Sequence, residues 1–219
     1  MTVVTDDGTF TLPNSIDGLD AFRAWADDPA LESVPTWFID GDVWVDMSKE
    51  QIFTHSSLKG EITAVLYAVV KSARSGRVYP DGVLVTNRTA NLSGNPDAVY
   101  VSHDTVAAGR IRLVPGAETG FTEMDGAPDM VLEVVSDSSE RKDNQTLLER
   151  YWAAGIPEYW IVDARGDDLE FTIYRHAAKG YTAVRKQGGW LRSPVFGKSF
   201  RLLGGTDRQG NPEFTLEVK

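Results

Sequence analysis

The chain of 219 residues contains no cysteine. This absence excludes disulfide bonds and thiolate-bound zinc, and it suits a reducing compartment. No apolar run approaches the ~20 residues that a membrane-spanning helix needs. The first residues also lack the basic start and long apolar stretch of a secretory signal. We therefore expect a cytoplasmic protein that makes no contact with a membrane.

Positive charge is scarce as well, because 22 Lys and Arg stand against 32 Asp and Glu. The net charge of −10 and the pI near 4.8 argue against a general nucleic-acid binder. A DNA-handling protein with this balance must concentrate its basic residues near the site, use metal ions, or build a basic groove by oligomerisation. A homodimer is compatible with the acidic charge and the apolar hairpin described below.

Several catalytic motifs are absent. The sequence contains no P-loop, no Gly-rich dinucleotide motif after a strand and no nucleophile elbow, so nucleotide hydrolysis, dinucleotide redox chemistry and serine-hydrolase chemistry find no support. It also has no internal repeat and no linker-like stretch. With 42% hydrophobic and 25% charged residues, residues 1–219 are expected to form a single globular domain.

Apolar spacing predicts the first half of the chain. Ile16, Leu19, Phe22 and Trp25 recur at helical intervals. Two apolar runs flank Asp40-Gly41 and predict a β-hairpin. A long amphipathic helix is expected from about residue 56 to 74.

Strands dominate the remainder. They are expected at 77–85, 97–102, 110–114, 128–136 and 158–164, with loops at 86–95 and 115–125 and short antiparallel strands from 169 to 219. A helix at about 143–154 lies between two buried strands, which predicts a crossover connection and a mixed α/β sheet.

Two carboxylates stand out by their positions. Asp97 follows Asn95-Pro96 at the start of a strand, and Glu133 lies inside the apolar run VLEVV. A charge in a buried strand is costly unless it is paired or bound to a cation. Two carboxylates on adjacent strands suit Mg²⁺, which prefers oxygen ligands, activates water and offsets charge on a phosphodiester.

The segment GAPDMVLEVVSDSSERKDNQTLLERYWAAGIPEYWIVDAR resembles the signature segment of the Uma2 family of endonucleases. The likeness extends upstream through NPDAVYV, His55 and WFIDGDVWVDMS, and it covers about residues 35–205. It implies a restriction-endonuclease-like PD-(D/E)XK fold with an αβββαβ core. The N-terminal helix and hairpin and the C-terminal antiparallel strands predicted from the residue pattern flank this core. The resemblance also implies DNA as the substrate and Mg²⁺ or Mn²⁺ as the cofactor.

The resemblance assigns roles residue by residue. Asp97 matches the PD aspartate and Glu133 the acid of (D/E)XK, so both would be metal ligands and catalytic residues. The motif lysine position is Val135 here, and the helical position from which the family usually supplies a basic residue is Leu147. Lys142 is the nearest substitute and the third predicted catalytic residue. Loss of such a lysine should slow chemistry more than it weakens metal binding.

Each of these assignments has a structural alternative. Glu133 could be a buried ion-pair partner of Lys142 or Arg150, and Asp97 could cap a turn. His55, just before the long helix, is either an ordinary polar residue or, as the resemblance suggests, a contact at the mouth of the site.

Three further acids are accessory candidates. Glu61 on the long helix is either an extra ligand or a solvated residue. Asp81 in Pro-Asp-Gly is first a β-turn residue and secondarily a neighbour of the metal. Asp129 is expected to fix the turn into its strand more than to ligate metal.

Three functions follow in order of preference. The first is a metal-dependent endonuclease that hydrolyses DNA phosphodiester bonds. The second is a catalytically degenerate nuclease fold that serves as a binding or assembly module. The third is acid–base hydrolysis of another substrate by paired carboxylates. No helix-turn-helix, zinc finger or arginine-rich reader is visible, so any target preference must come from the loops 86–95 and 115–125 or from a partner.

Overall fold

The computed structural model describes residues 2–5, 8–11, 16–31, 34–46, 49–81, 83–116, 120–166 and 168–219. Part of the N-terminal stretch considered above, namely residues 1, 6, 7 and 12–15, lies outside these ranges. The helices are α1 (Leu19–Ala26), α2 (Leu58–Ala73), α3 (His103–Ala107) and α4 (Leu147–Ala153). π-Helical turns at Ile52–Ser57 and Lys142–Thr146 lead directly into α2 and α4, and a 3₁₀ turn spans Pro29–Leu31. No helix in the described ranges is long and apolar enough to span a bilayer.

The strands follow the predicted order, with additions discussed below. They are β1 (Thr2–Thr5), β2 (Gly8–Thr11), β3 (Thr36–Ile39), β4 (Asp42–Val45), β5 (Gly76–Pro80), β6 (Leu84–Asn87), β7 (Leu92–Gly94), β8 (Ala98–Ser102), β9 (Ile111–Pro115), β10 (Phe121–Gly126), β11 (Met130–Val134), β12 (Glu158–Asp163), β13 (Glu170–Ala177), β14 (Gly180–Ala183), β15 (Leu191–Ser193), β16 (Lys198–Thr206) and β17 (Pro212–Val218).

The central sheet has the strand order β14-β13-β12-β11-β8-β5. β11 and β12 are parallel and are connected through α4, whereas the other neighbouring pairs are antiparallel. α2, β5, β8, β11, α4 and β12 therefore form the predicted αβββαβ core. The expected α/β class with a mixed sheet is confirmed.

A second six-stranded sheet has the order β4-β3-β7-β6-β10-β9. It combines the N-terminal hairpin with two insertions into the core, β6–β7 before β8 and β9–β10 before β11. The C-terminal strands β15, β16 and β17 form a separate antiparallel sheet.

The central sheet is buried on both faces. On one face, α2 and the C-terminal sheet pack against the strands. The helical spacing of Leu58, Ile62 and Leu66 directs these side chains into the same cluster as Trp160 and Phe200. On the other face, α4 and the second sheet contribute to the cluster around β11 and β12. All five residues of β11 are buried, which explains its nearly continuous apolar sequence.

The predicted hairpin at Asp40-Gly41 is present. Both turn residues have positive φ, 54° and 102°, as a two-residue type I′ turn requires. β3 and β4 pair across this turn.

The prediction of one strand over 77–85 is wrong. Asp81, with φ of 27°, interrupts it, and the two halves become β5 and β6 in different sheets. Gly82 of the Pro-Asp-Gly turn lies outside the described residues. The apolar pattern continues across this break because both strands are partly buried, so the pattern alone does not reveal the change of sheet.

The predicted loop at 86–95 contains β7, which pairs with both β6 and β3. Its small residues are required by packing. A Cβ at Gly94 would lie 1.8 Å from Trp37 Cε3, and Ser93 Oγ hydrogen-bonds Thr86 Oγ1 at 2.7 Å. The small residues of β7, which are typical of a loop, therefore belong to a buried strand.

The predicted loop at 115–125 is also wrong over most of its described part, because β10 occupies Phe121–Gly126. Residues 117–119 lie outside the described ranges. The sequence does not indicate β10 because the strand contains two acidic residues, which are unusual in a sheet unless they are paired. Arg23 donates to both carboxylate oxygens of Glu123, at 2.7 and 2.9 Å, so a polar strand is tolerated in the sheet.

Candidate active site

Asp97 and Glu133 lie side by side at one end of the central sheet. β8 and β11 pair with Leu132 opposite Ala98, and one further step of this register places Glu133 opposite Asp97. Directly opposite residues of antiparallel strands point to the same face, with Cβ atoms about 5 Å apart. The topology therefore brings the two acids together on neighbouring chain segments.

Asp97 is held by the backbone of the neighbouring strand. Its Oδ2 accepts a hydrogen bond from Val134 N at 2.6 Å, and its Oδ1 lies 3.4 Å from Lys59 Nζ. His55 Nε2 is 3.8 Å from Oδ2. Burial raises the pKa of Asp97, and the charges of Lys59 and His55 partly offset this effect. The carboxyl is thus fixed in orientation.

Glu133 is more deeply enclosed, with only 3% of its surface exposed. Tyr151 Oη donates a hydrogen bond to Glu133 Oε1 at 2.6 Å. Burial raises the pKa of Glu133 well above its ordinary value; Lys142 opposes the rise, and the charges of Asp143 and Asp97 add to it. A nearby cation would relieve both the desolvation and the repulsion between the acids.

Lys142 lies in the π-helical turn before α4 and is buried. Its Nζ is 2.5 Å from Asp143 Oδ1 and 4.3 Å from the ring centroid of Trp37. Burial lowers the pKa of Lys142, but the charges of Glu133 and Asp143 outweigh it and raise the pKa. Asp143 is itself buried and accepts a hydrogen bond from Ser139 Oγ. Lys142 is therefore a positive charge held by Asp143, and its charge acts on Glu133.

Lys59 is a site residue that the sequence analysis missed. It belongs to the first turn of α2, yet its Nζ lies 2.8 Å from Glu50 Oε1, 2.8 Å from Asp81 Oδ2 and 3.4 Å from Asp97 Oδ1. Burial lowers the pKa of Lys59, and Asp97, Asp81 and Glu50 outweigh this and raise it. The sequence spacing could have indicated that Lys59 is buried. Lys59 precedes Ile62 by three residues and Leu66 by seven, so it lies on the apolar face of the helix.

Two accessory candidates lie at this site. Asp81 contacts Lys59, and its backbone N–H donates to Asp97 O at 3.0 Å, so the turn residue is also a neighbour of the cluster. His55 is buried, and its Nδ1, 3.5 Å from Glu50 Oε2, forms no hydrogen bond within the described part of the chain.

The other two accessory candidates lie elsewhere. Glu61 Oε1 accepts a hydrogen bond from Leu216 N at 2.8 Å, which connects α2 to β17. Asp129 lies just before the opposite end of β11. It accepts hydrogen bonds from Ser102 N and Thr105 Oγ1, both at 2.7 Å. In the structure both acids stabilise backbone segments away from Asp97.

The usual lysine positions are occupied by core residues. Val135 and Leu147 are both buried in the hydrophobic cluster between the central sheet and α4. The basic groups of the site come instead from Lys142 and Lys59, which approach the two acids from different helical segments.

The donor set fits a divalent ion that takes few protein ligands. Five carboxyl groups (Glu50, Asp81, Asp97, Glu133 and Asp143) surround two ammonium groups, so oxygen donors outnumber the cations that could compensate them. Within the described ranges, no three His, Asp or Glu side chains already form a metal-ligating group. Asp97 and Glu133 would supply two oxygens, which matches the habit of Mg²⁺ to keep several waters.

The core topology and this cluster define a nuclease-fold protein with a carboxylate-rich site. The family model described as "Uma2: Putative restriction endonuclease" matches residues 19–203, and the chain belongs to this family. The predicted family membership is thereby confirmed, and the family is of nuclease type.

A solved structure supports the same fold. The chain is similar to a putative nuclease belonging to DUF820 from Anabaena variabilis ATCC 29413, with a TM-score of 0.61 and 18% sequence identity. The match covers 83% of this chain and 91% of the other chain. No curated protein matches the chain.

Proposed function

We propose that the chain is a metal-dependent endonuclease that hydrolyses DNA phosphodiester bonds. The observation that carries this proposal is the placement of Asp97, directly before β8, opposite Glu133 of β11. Lys59 Nζ lies 3.4 Å from Asp97 Oδ1, and the charge of the buried Lys142 acts on Glu133. Membership of a family described as restriction endonucleases supports DNA as the substrate.

Asp97 and Glu133 would hold the ion, and carboxylate oxygens suit Mg²⁺ or Mn²⁺. When bound, such an ion activates water for attack on phosphorus and offsets the charge that develops on the phosphoryl oxygens. Because burial raises the pKa of both acids and a carboxylate must be deprotonated to bind the ion, binding of the ion should weaken as the pH falls.

Hydrogen bonds from neighbouring residues fix the orientation of both acids. Val134 N orients Asp97 through Oδ2, and Tyr151 orients Glu133 through Oε1. Lys59 and Lys142 both keep their protons, since the surrounding acids raise the pKa of each. They therefore act as positive charges that favour an approaching phosphodiester, and not as bases.

Cleavage of supercoiled plasmid in Mg²⁺ or Mn²⁺ tests the proposal. We expect nicking by the wild type and loss of at least about a hundredfold in rate in Asp97→Asn and Glu133→Gln. Glu158→Gln is the matched control. Glu158 is also a buried strand carboxylate, but it accepts hydrogen bonds from Val195 N and Ser193 Oγ away from the site. Equal cleavage by wild type and Glu133→Gln would remove Glu133 from the mechanism.

A nuclease fold that binds or assembles without cutting is the second candidate. It is favoured by the apolar residues at both usual lysine positions and by the 2.5 Å pairing of Lys142 with Asp143. This alternative predicts a folded protein whose melting temperature does not respond to Mn²⁺ and which leaves plasmid intact. A rise in melting temperature with Mn²⁺ that disappears in Asp97→Asn would argue against it.

A cytoplasmic location and a homodimeric state are part of the same proposal. Exposed apolar residues such as Phe121 and Leu113, on the paired strands β10 and β9, offer a surface for self-association. Sedimentation equilibrium of the wild type and of Phe121→Ser would test the dimer. A monomer at every concentration would contradict it.

A further inference from the structure

A basic groove lies on the C-terminal part of the molecule, away from the carboxylates. It has a volume of about 390 Å³, and ten residues line it. Four of these are Arg175, Arg185, Arg192 and Lys219, and none is Asp or Glu. In a chain whose net charge is −10, a concave surface whose side chains are only basic or neutral differs in charge from the acidic remainder of the molecule.

The basic side chains of this groove are available to a ligand. Arg175, Arg185, Arg192 and Lys219 are all exposed. Among the described residues, none of the four forms an ion pair with a carboxylate side chain; Arg192 Nη1 donates to Gly197 O at 2.6 Å. Uncompensated guanidinium groups that converge on a concave surface are the chemistry that binds phosphate oxygens.

The groove is built on paired strands. Arg175 belongs to β13, Arg192 to β15, and Ser199 of β16 exchanges backbone hydrogen bonds of 2.9 and 3.0 Å with Lys219. Trp190 is flanked by cations, with Arg201 Cζ 4.7 Å and Lys219 Nζ 4.1 Å from its ring centroid. Because these cations already pack against the indole, Trp190 supports the basic side chains and is not a free platform for base stacking.

The groove and the carboxylates are on opposite faces of the central sheet. Glu133 pairs with Ile161, and Ile161 pairs with Thr172. Arg175 follows Thr172 by three residues and therefore points to the other face. Strand spacing and rise put the Cα atoms of Glu133 and Arg175 roughly 14 Å apart. A phosphate in the groove is thus not the one that is cleaved.

We propose that this groove is a second DNA contact, which holds the phosphate backbone without reading sequence and is separate from the site of cleavage. The inference rests on the proposed function for the identity of its ligand. It explains how a chain with a net charge of −10 could bind DNA, because the groove concentrates basic side chains at one place on an acidic molecule. Contacts to phosphate alone predict affinity that falls steeply with salt and is indifferent to sequence.

The test is fluorescence anisotropy with labelled duplexes of about 30 base pairs and unrelated sequences, in chelator so that cleavage does not intervene. The groove variant is Arg175→Glu/Arg185→Glu. The matched control is Lys71→Glu/Arg208→Glu, which makes the same change in net charge at exposed cations outside the groove. Circular dichroism and melting temperature establish that both variants fold.

We expect the groove variant to lose at least about tenfold in affinity at low salt and its log–log salt slope to fall by about 2, while the control keeps the wild-type slope. Equal binding by wild type and groove variant would overturn the inference, as would absence of binding by the wild type. Equally effective competition by a polyglutamate peptide would overturn the assignment to nucleic acid.

Plasmid cleavage in Mn²⁺ separates this inference from the proposed function. If both hold, the groove variant raises KM and leaves kcat near the wild-type value. Binding through the groove without any cleavage by the wild type would refute the endonuclease and leave the groove standing. If the wild type cleaves plasmid and the groove variant has the same KM, the groove is not a DNA contact, whereas the proposed endonuclease activity still holds.

Discussion

Lys59 Nζ lies 3.4 Å from Asp97 Oδ1, although Lys59 belongs to the first turn of helix α2 and Asp97 precedes strand β8, 38 residues further along the chain. The same ammonium group is 2.8 Å from Asp81 Oδ2 and 2.8 Å from Glu50 Oε1. A lysine of α2 thus joins the acidic cluster from a helical segment other than the one that carries Lys142. The positive charge of Lys59 makes the largest favourable contribution to ionisation of the buried Asp97 carboxyl group.

Replacement of Lys59 by methionine should destabilise the fold. Removing one partner of a buried ion-pair group leaves Asp97 uncompensated, and we expect the free energy of unfolding to fall by about 3 kcal/mol. Lys59→Arg should retain most of the stability because it keeps the charge. Urea denaturation measures both. Lys71→Met, at an exposed position of the same helix, should change stability by less than about 0.5 kcal/mol. A Lys59→Met protein as stable as this control would contradict the prediction.

Glu133→Gln should stabilise the metal-free protein at neutral pH. Burial raises the pKa of Glu133 well above 4.5 in the folded state, so the unfolded chain loses this proton first as pH rises. Stability is therefore lost from about the unfolded pKa upward, through the folded pKa.

Glutamine removes this loss and still offers Oε1 to Tyr151. We expect a gain on the order of 1 kcal/mol at pH 8 that shrinks toward about pH 4.5, measured by urea denaturation in chelator across that range. If the difference in free energy of unfolding between Glu133→Gln and the wild type were the same at about pH 4.5 and at pH 8, Glu133 would not have a raised pKa in the folded protein.

Tyr151→Phe should cost about 2 kcal/mol at alkaline pH, where Glu133 is ionised, because the Glu133 carboxylate then loses a buried hydrogen bond from Tyr151 Oη. At the same pH the cost should be smaller in the Glu133→Gln background, because the amide acceptor is neutral. A double-mutant cycle by thermal denaturation would measure this coupling, expected to be about 1 kcal/mol. Tyr67→Phe, on the exposed side of α2, should be close to neutral. Strictly additive effects would contradict this prediction, because they would mean that Tyr151 binds the carboxylate and the amide equally strongly.

Asp129→Ala should separate structural acids from metal ligands. The change removes the acceptor for Ser102 N and Thr105 Oγ1, and we expect a loss of about 2 kcal/mol in stability. Calorimetric titration of Mn²⁺ should nevertheless give the wild-type affinity, whereas Asp97→Asn should abolish binding. A parallel loss in Asp129→Ala, with the protein folded, would place Asp129 in the metal site after all.

Much of the site could be predicted because its acids violate local rules. Glu133 interrupts an apolar run and Asp97 follows Asn-Pro at a strand start, so each is visible in the sequence without its partner. Lys59 was missed because a lysine at the start of a helix is usually solvated, and its long side chain hides a buried position. The contact of Glu61 could not be foreseen, since its partner, the backbone N–H of Leu216, is 155 residues away.

The sequence by itself determined the element types where periodicity was strong, namely α2, β11, β12 and the hairpin at Asp40-Gly41. It also singled out Asp97 and Glu133 as candidate ligands, because a charged residue in or beside an apolar strand is visible in the residue pattern. Only the tertiary structure decided that residues 77–85 divide between two sheets, that Gly94 serves a buried strand, and that Lys59 meets Asp97. Those outcomes depend on strand pairing and on contacts between distant parts of the chain, whose free energy no local window of sequence contains.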